Sequence, residues 1–271
     1  MKSPIKYFGG KFYMLPKIEV HYPKDIYKRV YIEGFGGGAA LLLSKDPYGV
    51  EIYNDLDKNV YSLFKVLSDK TLYGQFKDSL DLTPYSRDIR EEYKKDLKKK
   101  DLTIIERAVK FFYVNRTSFN GQGSFCTNTS ARRGMSKAVS DYLSAIDRLY
   151  ELHQRISRVI IENMDILALL DKYNKEDTFF YLDPPYVHST RKSTARYNCE
   201  MTDKQHQSMI ERIISHKGKF LISGYDCDIY HVLEDNGFFK LSFKSPSSDM
   251  METIWWNYHL ENETRSIVAL P

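Results

Sequence analysis

The feature that most constrains the fold is an alternation of short apolar runs with helical segments. Each of five runs is rich in β-branched, aromatic or aliphatic residues: 29–33, 49–53, 159–161, 178–182 and 219–222. Helical patterns accompany them at 38–45, 57–68, 141–157, 203–216 and 227–235. Strands that are apolar throughout are buried on both faces, which is typical of parallel sheets covered by helices. We therefore predict an α/β fold with a mostly parallel sheet.

Two regions of the chain depart from this alternation. Near the C-terminus, apolar runs at 238–243, 253–256 and 266–270 follow one another with little helix between them, which predicts that the sheet ends in an antiparallel hairpin. The stretch 61–150 is helical and charged up to about residue 113 and is then rich in Gly, Asn, Ser and Thr. We interpret it as an inserted, mainly helical subdomain between the two segments of the main domain, residues 1–60 and residues 151–271.

The charge is balanced in total but not along the chain. The 271 residues contain 40 Lys and Arg against 36 Asp and Glu, so the net charge is only +4. Residues 107–140 nevertheless contain no acid and six bases, which are Arg107, Lys110, Arg116, Arg132, Arg133 and Lys137. Residues 184–199 contain no acid either, and their bases are Arg191, Lys192 and Arg196. Because amide, hydroxyl and aromatic side chains accompany these cations, we interpret both stretches as nucleic-acid surfaces, the alternative being a solvated basic face.

Composition excludes several classes of protein. No stretch approaches the roughly 18 apolar residues of a membrane span, and no apolar signal core follows the N-terminus. Cys126, Cys199 and Cys227 form no Cys-x-x-Cys pair, and no His cluster has ligand spacing. This pattern argues against a zinc site and favours a reducing compartment. We expect a cytoplasmic monomer with no metal and no membrane partner.

Glycines and carboxylates follow the first two predicted strands. In an open α/β sheet, ligands bind beyond the carboxyl ends of the strands. Glycines between Glu33 and Ala39 allow a tight turn into a helix whose N-terminal amides face a ligand. Asp55, at the end of the second strand, can accept hydrogen bonds from both hydroxyls of a ribose. The spacing also satisfies the Gly-x-Gly-x-x-Ala dinucleotide fingerprint, so an NAD-dependent oxidoreductase is an alternative at this point.

The sharpest motif, Asp183-Pro184-Pro185-Tyr186, follows the fourth strand. The prolines fix φ and hold Asp183 and Tyr186 at the edge of the sheet. The Asp183 carboxylate and the Pro184 carbonyl can together accept both hydrogens of an exocyclic amine, while the Tyr186 ring stacks on the base that carries it. This arrangement favours a reaction in which such an amine becomes a nucleophile, and an oxidoreductase has no use for it.

These motifs and their order resemble the Dam-like DNA adenine-N6 methyltransferases, and the resemblance covers nearly the whole chain. Residues 5–11 (IKYFGGK) are similar to the family's Trp-Ala-Gly-Gly-Lys segment. The glycine turn is similar to the Phe-x-Gly-x-Gly motif, with Phe35 and Gly37 in register, although Gly34 and Ala39 stand where a proline and a glycine are usual. The resemblance implies a Rossmann-like methyltransferase sheet and the cofactor S-adenosylmethionine.

The resemblance also implies roles for individual residues. Residues implied to bind the cofactor are Tyr7, Lys11, Glu33, Phe35, Gly36, Gly37, Gly38, Asp55, Asp165 and Asp183, with Asp165 accepting from the adenine amine of the cofactor. The implied catalytic residues are Asp183, Pro184, Pro185 and Tyr186. Residues 1–60 would then bind the cofactor, and residues 151–271 would carry the catalytic motif.

The insert 61–150 contains Asn115-Arg116-Thr117-Ser118-Phe119-Asn120-Gly121, which resembles the target-recognition signature Asn-Arg-x-x-Phe-Asn-Gly. The partner implied is double-stranded DNA. Candidate DNA contacts are Arg116, Asn120, Arg132, Arg133, Lys137, Arg191, Lys192 and Arg196. Alternative methyl acceptors are cytosine N4, RNA and a glutamine side chain. The resemblance favours adenine, because Asp precedes Pro-Pro in the motif. A catalytically silent DNA-binding module is a further alternative.

Overall fold

A computed structural model describes residues 1–7, 14–187, 200–244 and 251–260. The predicted sites Lys11, Arg191, Lys192 and Arg196, and the predicted strand 266–270, lie outside these ranges. Within them, no helix has both the length and the apolar character needed to cross a membrane. The chain forms two compact units, which are Met1–Phe12, Gly37–Pro47 and Asp57–Asn163 for the first, and Tyr13–Gly36, Tyr48–Leu56 and Met164–Pro271 for the second.

The described residues form nine strands and eleven α-helices. The strands are β1 (Val30–Glu33), β2 (Glu51–Asn54), β3 (Ala131–Arg132), β4 (Met135–Ser136), β5 (Ile160–Glu162), β6 (Thr178–Leu182), β7 (Lys219–Tyr225), β8 (Phe239–Lys244) and β9 (Met251–Trp256). The helices are α1 (Leu15–Glu19), α2 (Ala40–Ser44), α3 (Lys58–Ser68), α4 (Lys70–Asp81), α5 (Arg87–Asp96), α6 (Ile104–Thr117), α7 (Lys137–Asp147), α8 (Leu149–Ile156), α9 (Ile166–Lys172), α10 (Asp203–Ser215) and α11 (Asp228–Asp235).

Six strands of the second unit form a sheet in the order β2-β1-β6-β7-β9-β8. Strands β2, β1, β6 and β7 pair in parallel, and β9 pairs antiparallel with both β7 and β8. All five residues of β6 are buried, as its uninterrupted apolar sequence predicts. The predicted α/β class, the mostly parallel sheet and the C-terminal antiparallel hairpin are therefore confirmed.

The first unit is mainly helical and is built around α6. Helix α6 begins with a capping box, in which the Thr103 hydroxyl accepts from the backbone of Glu106 and the Glu106 carboxylate accepts from the backbone of Thr103. Phe112 and Tyr113 are buried on this helix, and α3, α4 and α5 pack against it. The helix predicted over 141–157 begins earlier, at Lys137, and is divided at Arg148 into α7 and α8. The antiparallel pair β3–β4 was not predicted.

In the second unit, a buried histidine closes the connection between α10 and β7. The Gly218 N–H donates to Nδ1 of His216 over 2.8 Å, so Nε2 carries the proton and donates to the Leu170 carbonyl over 3.2 Å. The edge of the imidazole ring packs against Phe180 and Phe220. Burial lowers the pKa of His216, since the folded state favours the neutral ring.

This lowered pKa predicts a pH-dependent stability. Above its unfolded-state pKa of about 6.5, neutral His216 makes its full contribution to the free energy of unfolding. As the pH falls below this value, the unfolded state binds a proton that the folded state does not, so the contribution is lost. We expect the free energy of unfolding to fall more steeply with decreasing pH in the wild type than in His216→Gln, measured by urea denaturation between about pH 7.5 and pH 5. Equal slopes for the two proteins would contradict this role.

Candidate active site

Asn54 ties three segments of the second unit together at the carboxyl end of β2. Its Nδ2 donates to the carbonyls of Gly34 (2.9 Å) and Met164 (3.1 Å), and its Oδ1 accepts from the Met164 N–H (2.8 Å). Its own carbonyl accepts from the Gly36 N–H (2.8 Å). The turn after β1, the end of β2 and the segment entering α9 are thus fixed by one buried amide. Sequence reasoning missed Asn54, although a polar residue ending an apolar strand was a usable signal.

Two glycines of the turn are explained by packing. A Cβ on Gly36 would lie 2.0 Å from the ring of Tyr53, which is fully buried. A Cβ on Gly34 would lie 2.4 Å from the Leu182 side chain. Both neighbours are fully buried in a close-packed core, so a Cβ at either position would force them to shift. Phe35, between them, packs against the core of the same unit.

Carboxylates follow the strands at this edge of the second unit. Glu33, at the end of β1, is 2% exposed and accepts a 2.7 Å hydrogen bond from the Tyr31 hydroxyl. Burial and the nearby Glu33 carboxylate raise the pKa of Tyr31. Asp55, which follows β2, is also buried. Asp165 is exposed and caps α9, where its Oδ1 accepts from the Leu167 N–H over 2.9 Å.

The catalytic motif predicted from the sequence lies at the carboxyl end of β6. The Ser223 hydroxyl hydrogen-bonds to Oδ1 of Asp183 over 3.0 Å. The ring of Tyr186 stacks on Tyr225, with 4.0 Å between the centroids and 18° between the planes. Its hydroxyl lies 3.5 Å from both carboxylate oxygens of Glu252, which is buried. Sequence reasoning missed Ser223, Tyr225 and Glu252 as neighbours of the motif. Pro184 is buried and Pro185 half-buried, as expected for residues that stiffen the turn.

In the first unit, Tyr7 packs against the remaining glycines of the turn. Gly37 has φ +48°, and a Cβ there would lie 2.7 Å from the Tyr7 ring. A Cβ on Gly38 would lie 3.0 Å from the Ser3 hydroxyl. Ala39, which stands where the family usually has glycine, has φ +54° and directly precedes α2. This left-handed backbone explains why glycine suits that position.

The first two residues of the target-recognition signature hold the N-terminal segment of the first unit. Asn115 accepts from the Lys6 N–H over 2.8 Å and donates to the Lys6 carbonyl over 3.0 Å. Arg116 donates to the carbonyls of Pro4 (2.6 Å) and Ser3 (2.9 Å). Burial lowers the pKa of Arg116 to about 10. The structure thus places this arginine, predicted to contact DNA, on backbone carbonyls of its own unit.

Only Phe119 and Asn120 of the signature are exposed, whereas Thr117, Ser118 and Gly121 are buried. Phe119 is 62% exposed, and the exposed Asn120 has φ +48°. Gly121 has φ +82°, and a Cβ there would lie 2.3 Å from the Lys6 carbonyl oxygen. The buried Arg90 braces the turn by donating to the Ser118 hydroxyl and, over 2.6 Å, to the Gly123 carbonyl. Phe119 was missed as a candidate contact, although an exposed aromatic residue beside Asn120 was present in the motif.

The cations of the acid-free stretch 107–140 fall into two groups, one bound to groups of the first unit and one near the β3–β4 hairpin. Arg107 donates to Asn59 and to the Lys99 carbonyl, and Lys110 pairs with Asp96. These two, like Arg116, are thus engaged inside the first unit. The three cations that follow the signature turn lie on the hairpin and the start of α7.

The β3–β4 hairpin presents its cations at the surface. Its turn consists of Arg133 (φ +54°) and Gly134 (φ +73°), as in a type I′ turn. Arg132 and Arg133 are exposed. Asp141 of α7 accepts from Arg132 over 2.9 Å and from Lys137 over 2.5 Å, while Arg133 donates to Ser144. One carboxylate therefore serves two of the three cations.

A family model described as D12 class N6 adenine-specific DNA methyltransferase matches residues 7–254. The chain belongs to this family. Its enzymatic class is therefore DNA adenine methyltransferase, and the resemblance to the Dam-like enzymes is confirmed. This assignment decides against the oxidoreductase, the cytosine-N4 enzyme and the silent DNA-binding module. It also decides against RNA or glutamine as the acceptor.

Curated relatives agree with the family assignment. The methyltransferase is 25% identical over 265 residues to the type II methyltransferase M.MjaIII of Methanocaldococcus jannaschii, covering 85% of this chain and 86% of the relative. It is 25% identical over 236 residues to the DNA adenine methylase of Salmonella typhi, covering 82% and 80% of the two chains. The DNA adenine methylase of Escherichia coli K12 is 24% identical over the same shares.

One cluster in the methyltransferase has the residue types of a metal site. Asp226, His231 and Glu234 bring their ligand atoms within 4.8 Å of one another. The Nζ of Lys240 lies 3.0 Å from Asp226 and 2.8 Å from Glu234. The cluster is therefore accounted for as a surface ion-pair network, and it assigns no metal to the enzyme.

The packing of Gly36 predicts the effect of a single methyl group. We expect Gly36→Ala to destabilise the methyltransferase by about 1–3 kcal/mol, because the new Cβ overlaps the buried Tyr53 ring. Gly74→Ala is the matched control, since nothing lies within 4 Å of a Cβ at this position in α4 and alanine favours the helix by up to about 1 kcal/mol. Thermal unfolding of both variants measures the contrast. A Gly36→Ala protein as stable as the wild type would contradict the packing argument.

Proposed function

We propose that this enzyme transfers the methyl group of S-adenosylmethionine to N6 of an adenine that is flipped out of double-stranded DNA at a specific site. The observation that carries the proposal is the Asp183–Tyr186 motif, with Asp183 hydrogen-bonded and Tyr186 stacked at the carboxyl end of β6. An adenine N6 is inaccessible inside a base stack, so the base must leave the duplex to reach such a site.

Asp183, Pro184 and Tyr186 supply the chemistry of the acceptor. The Asp183 carboxylate and the Pro184 carbonyl accept the two hydrogens of the N6 amine, which draws the nitrogen lone pair out of conjugation with the ring. Tyr186 stacks on the base, an interaction worth about 1–3 kcal/mol in other aromatic–base pairs. S-Adenosylmethionine, when bound, supplies an electrophilic sulfonium methyl. Most of the rate enhancement then comes from the orientation of the amine.

Acidic side chains of the second unit fit a cofactor of this kind. Glu33, Asp55 and Asp183 are carboxylates at or just beyond strand ends of the second unit, and Asp165 caps α9 of the same unit. Carboxylates accept from ribose hydroxyls and from an adenine amine, and their negative potential favours a cationic sulfonium. We assign them to the cofactor together with Phe35 and Gly36. The roles of Tyr7, Lys11, Gly37 and Gly38 remain predictions from the resemblance.

The first unit supplies the surface that we assign to DNA. Arg132, Arg133 and Lys137 bind phosphates, which positions the duplex without reading its sequence. Asn120, exposed on the signature turn, is suited to an adenine edge, and Phe119 beside it is suited to contact unstacked bases. DNA contacts by Arg116, Arg191, Lys192 and Arg196 remain predictions.

Asp183→Ala tests the chemistry. We expect the rate of methyl transfer to fall by about a thousandfold or more, because the amine loses its charged acceptor. The assay measures tritium transferred from methyl-labelled S-adenosylmethionine to duplex DNA, with mass spectrometry identifying N6-methyladenine. Asp235→Ala, which removes an exposed carboxylate at the end of α11, is the control and should retain activity. Wild-type activity in a folded Asp183→Ala protein would refute the proposed role.

Arg132→Ala/Arg133→Ala tests the DNA surface. We expect weaker duplex binding and a plot of log Kd against log salt that is shallower by about 0.9 for each phosphate that the variant no longer neutralises. Fluorescence anisotropy over a range of salt concentrations measures both quantities. Arg212→Ala/Lys217→Ala removes two exposed cations of the second unit and should leave the slope unchanged. An unchanged slope in the hairpin variant would show that the hairpin is an ordinary solvated surface.

A further inference from the structure

The carboxyl end of β7 lies beside the catalytic motif and shares a face with it. Parallel pairing places Leu182 opposite Ile222, so Asp183 and Ser223 are the next residues on neighbouring strands. Side chains alternate along a strand, which puts Ser223 and Tyr225 on the same face. Ser223 is completely buried, like the apolar residues Phe220, Leu221 and Ile222 that precede it in β7. A buried hydroxyl at this position requires hydrogen-bond partners.

The hydrogen bonds of Ser223 have a definite direction. Its hydroxyl lies 3.0 Å from Oδ1 of Asp183 and 2.8 Å from the hydroxyl of Tyr181, which is also buried. An ionised carboxylate only accepts, so Ser223 must donate to Asp183. The single Ser223 proton is then used, so Tyr181 must donate to Ser223. The chain of donors runs from Tyr181 through Ser223 to Asp183.

The hydrogen bond that Ser223 donates to Asp183 can affect the reaction. A fixed donor on Oδ1 limits the rotation of the carboxylate about its Cβ–Cγ bond and so sets how the Asp183 carboxylate is presented to an amine. Tyr181 in turn fixes the rotation of the Ser223 hydroxyl. We infer that Ser223 is a positioning residue that, held by Tyr181, orients the Asp183 carboxylate for the N6 amine. The inference rests on the proposed function of Asp183.

Three variants separate positioning from a purely structural role. Ser223→Ala removes the donor to Asp183 and leaves the Tyr181 hydroxyl without this acceptor, so both activity and stability should fall. Tyr181→Phe keeps the Ser223 donor, so its activity should fall less. The double variant Ser223→Ala/Tyr181→Phe removes both buried hydroxyls, and its stability should recover relative to Ser223→Ala because no polar group loses its partner within the pair.

The measurements are the single-turnover rate at saturating duplex DNA and S-adenosylmethionine, the duplex Kd and the thermal unfolding midpoint. We expect Ser223→Ala to lower the single-turnover rate about ten- to a hundredfold with the duplex Kd changed less than about twofold, and the double variant to keep the low rate despite its recovered stability. Ser215→Ala, an exposed serine at the end of α10, is the control.

Each outcome decides a different question. A wild-type rate in Ser223→Ala, or a rate in the double variant that recovers together with stability, would overturn the positioning role. A wild-type enzyme that transfers no methyl group to adenine, or an active Asp183→Ala protein, would instead overturn the proposed function. The two failures are distinguishable because the first leaves wild-type methylation and its dependence on Asp183 intact.

Discussion

Parallel pairing of β2, β1, β6 and β7 is the constraint on which the candidate active site depends. Because these strands run in one direction, the residues that end them meet at one edge of the second unit. Backbone groups beyond the last ladder hydrogen bonds need other partners, which turns and side chains provide. Asn54 does so for Gly34 and Met164. The positions of the site residues therefore depend on the hydrogen bonds at the carboxyl ends of these strands.

In the first unit too, polar side chains hold loop segments in place by hydrogen-bonding to backbone groups. Asn115 pairs with the backbone of Lys6 much as a neighbouring strand would, and Arg116 binds the carbonyls of Ser3 and Pro4. Arg90 holds the turn that follows. The first two residues of the recognition signature thus hold the N-terminal segment, and the exposed Phe119 and Asn120 lie on the turn that Arg90 contacts. A signature of seven residues can combine both tasks because successive residues of a tight turn point in different directions.

Much of the fold could be predicted because continuous apolar runs admit few arrangements. The apolar runs identified every strand of the second unit that the structure describes, and the motif at 183–186 followed from its position after one of them. The β3–β4 hairpin escaped prediction because its strands have two residues each and its turn places Arg133, not Asn or Asp, at positive φ. The partners of the motif escaped as well, since Ser223, Tyr225 and Glu252 meet it only through strand pairing.

The basic stretch 107–140 shows why charge along a sequence cannot be translated directly into a surface. An acid-free window suggests a cationic face, yet Arg107, Lys110 and Arg116 are used by carbonyls, an amide and a carboxylate of their own unit. Guanidinium and ammonium groups with such partners carry few free donors toward a phosphate. The cations that remain at the surface are those after the recognition turn: Arg132, Arg133 and Lys137. Asp141, at the boundary of the stretch, accepts hydrogen bonds from Arg132 and Lys137. A charged window therefore indicates a nucleic-acid surface only to the extent that the fold leaves its side chains exposed.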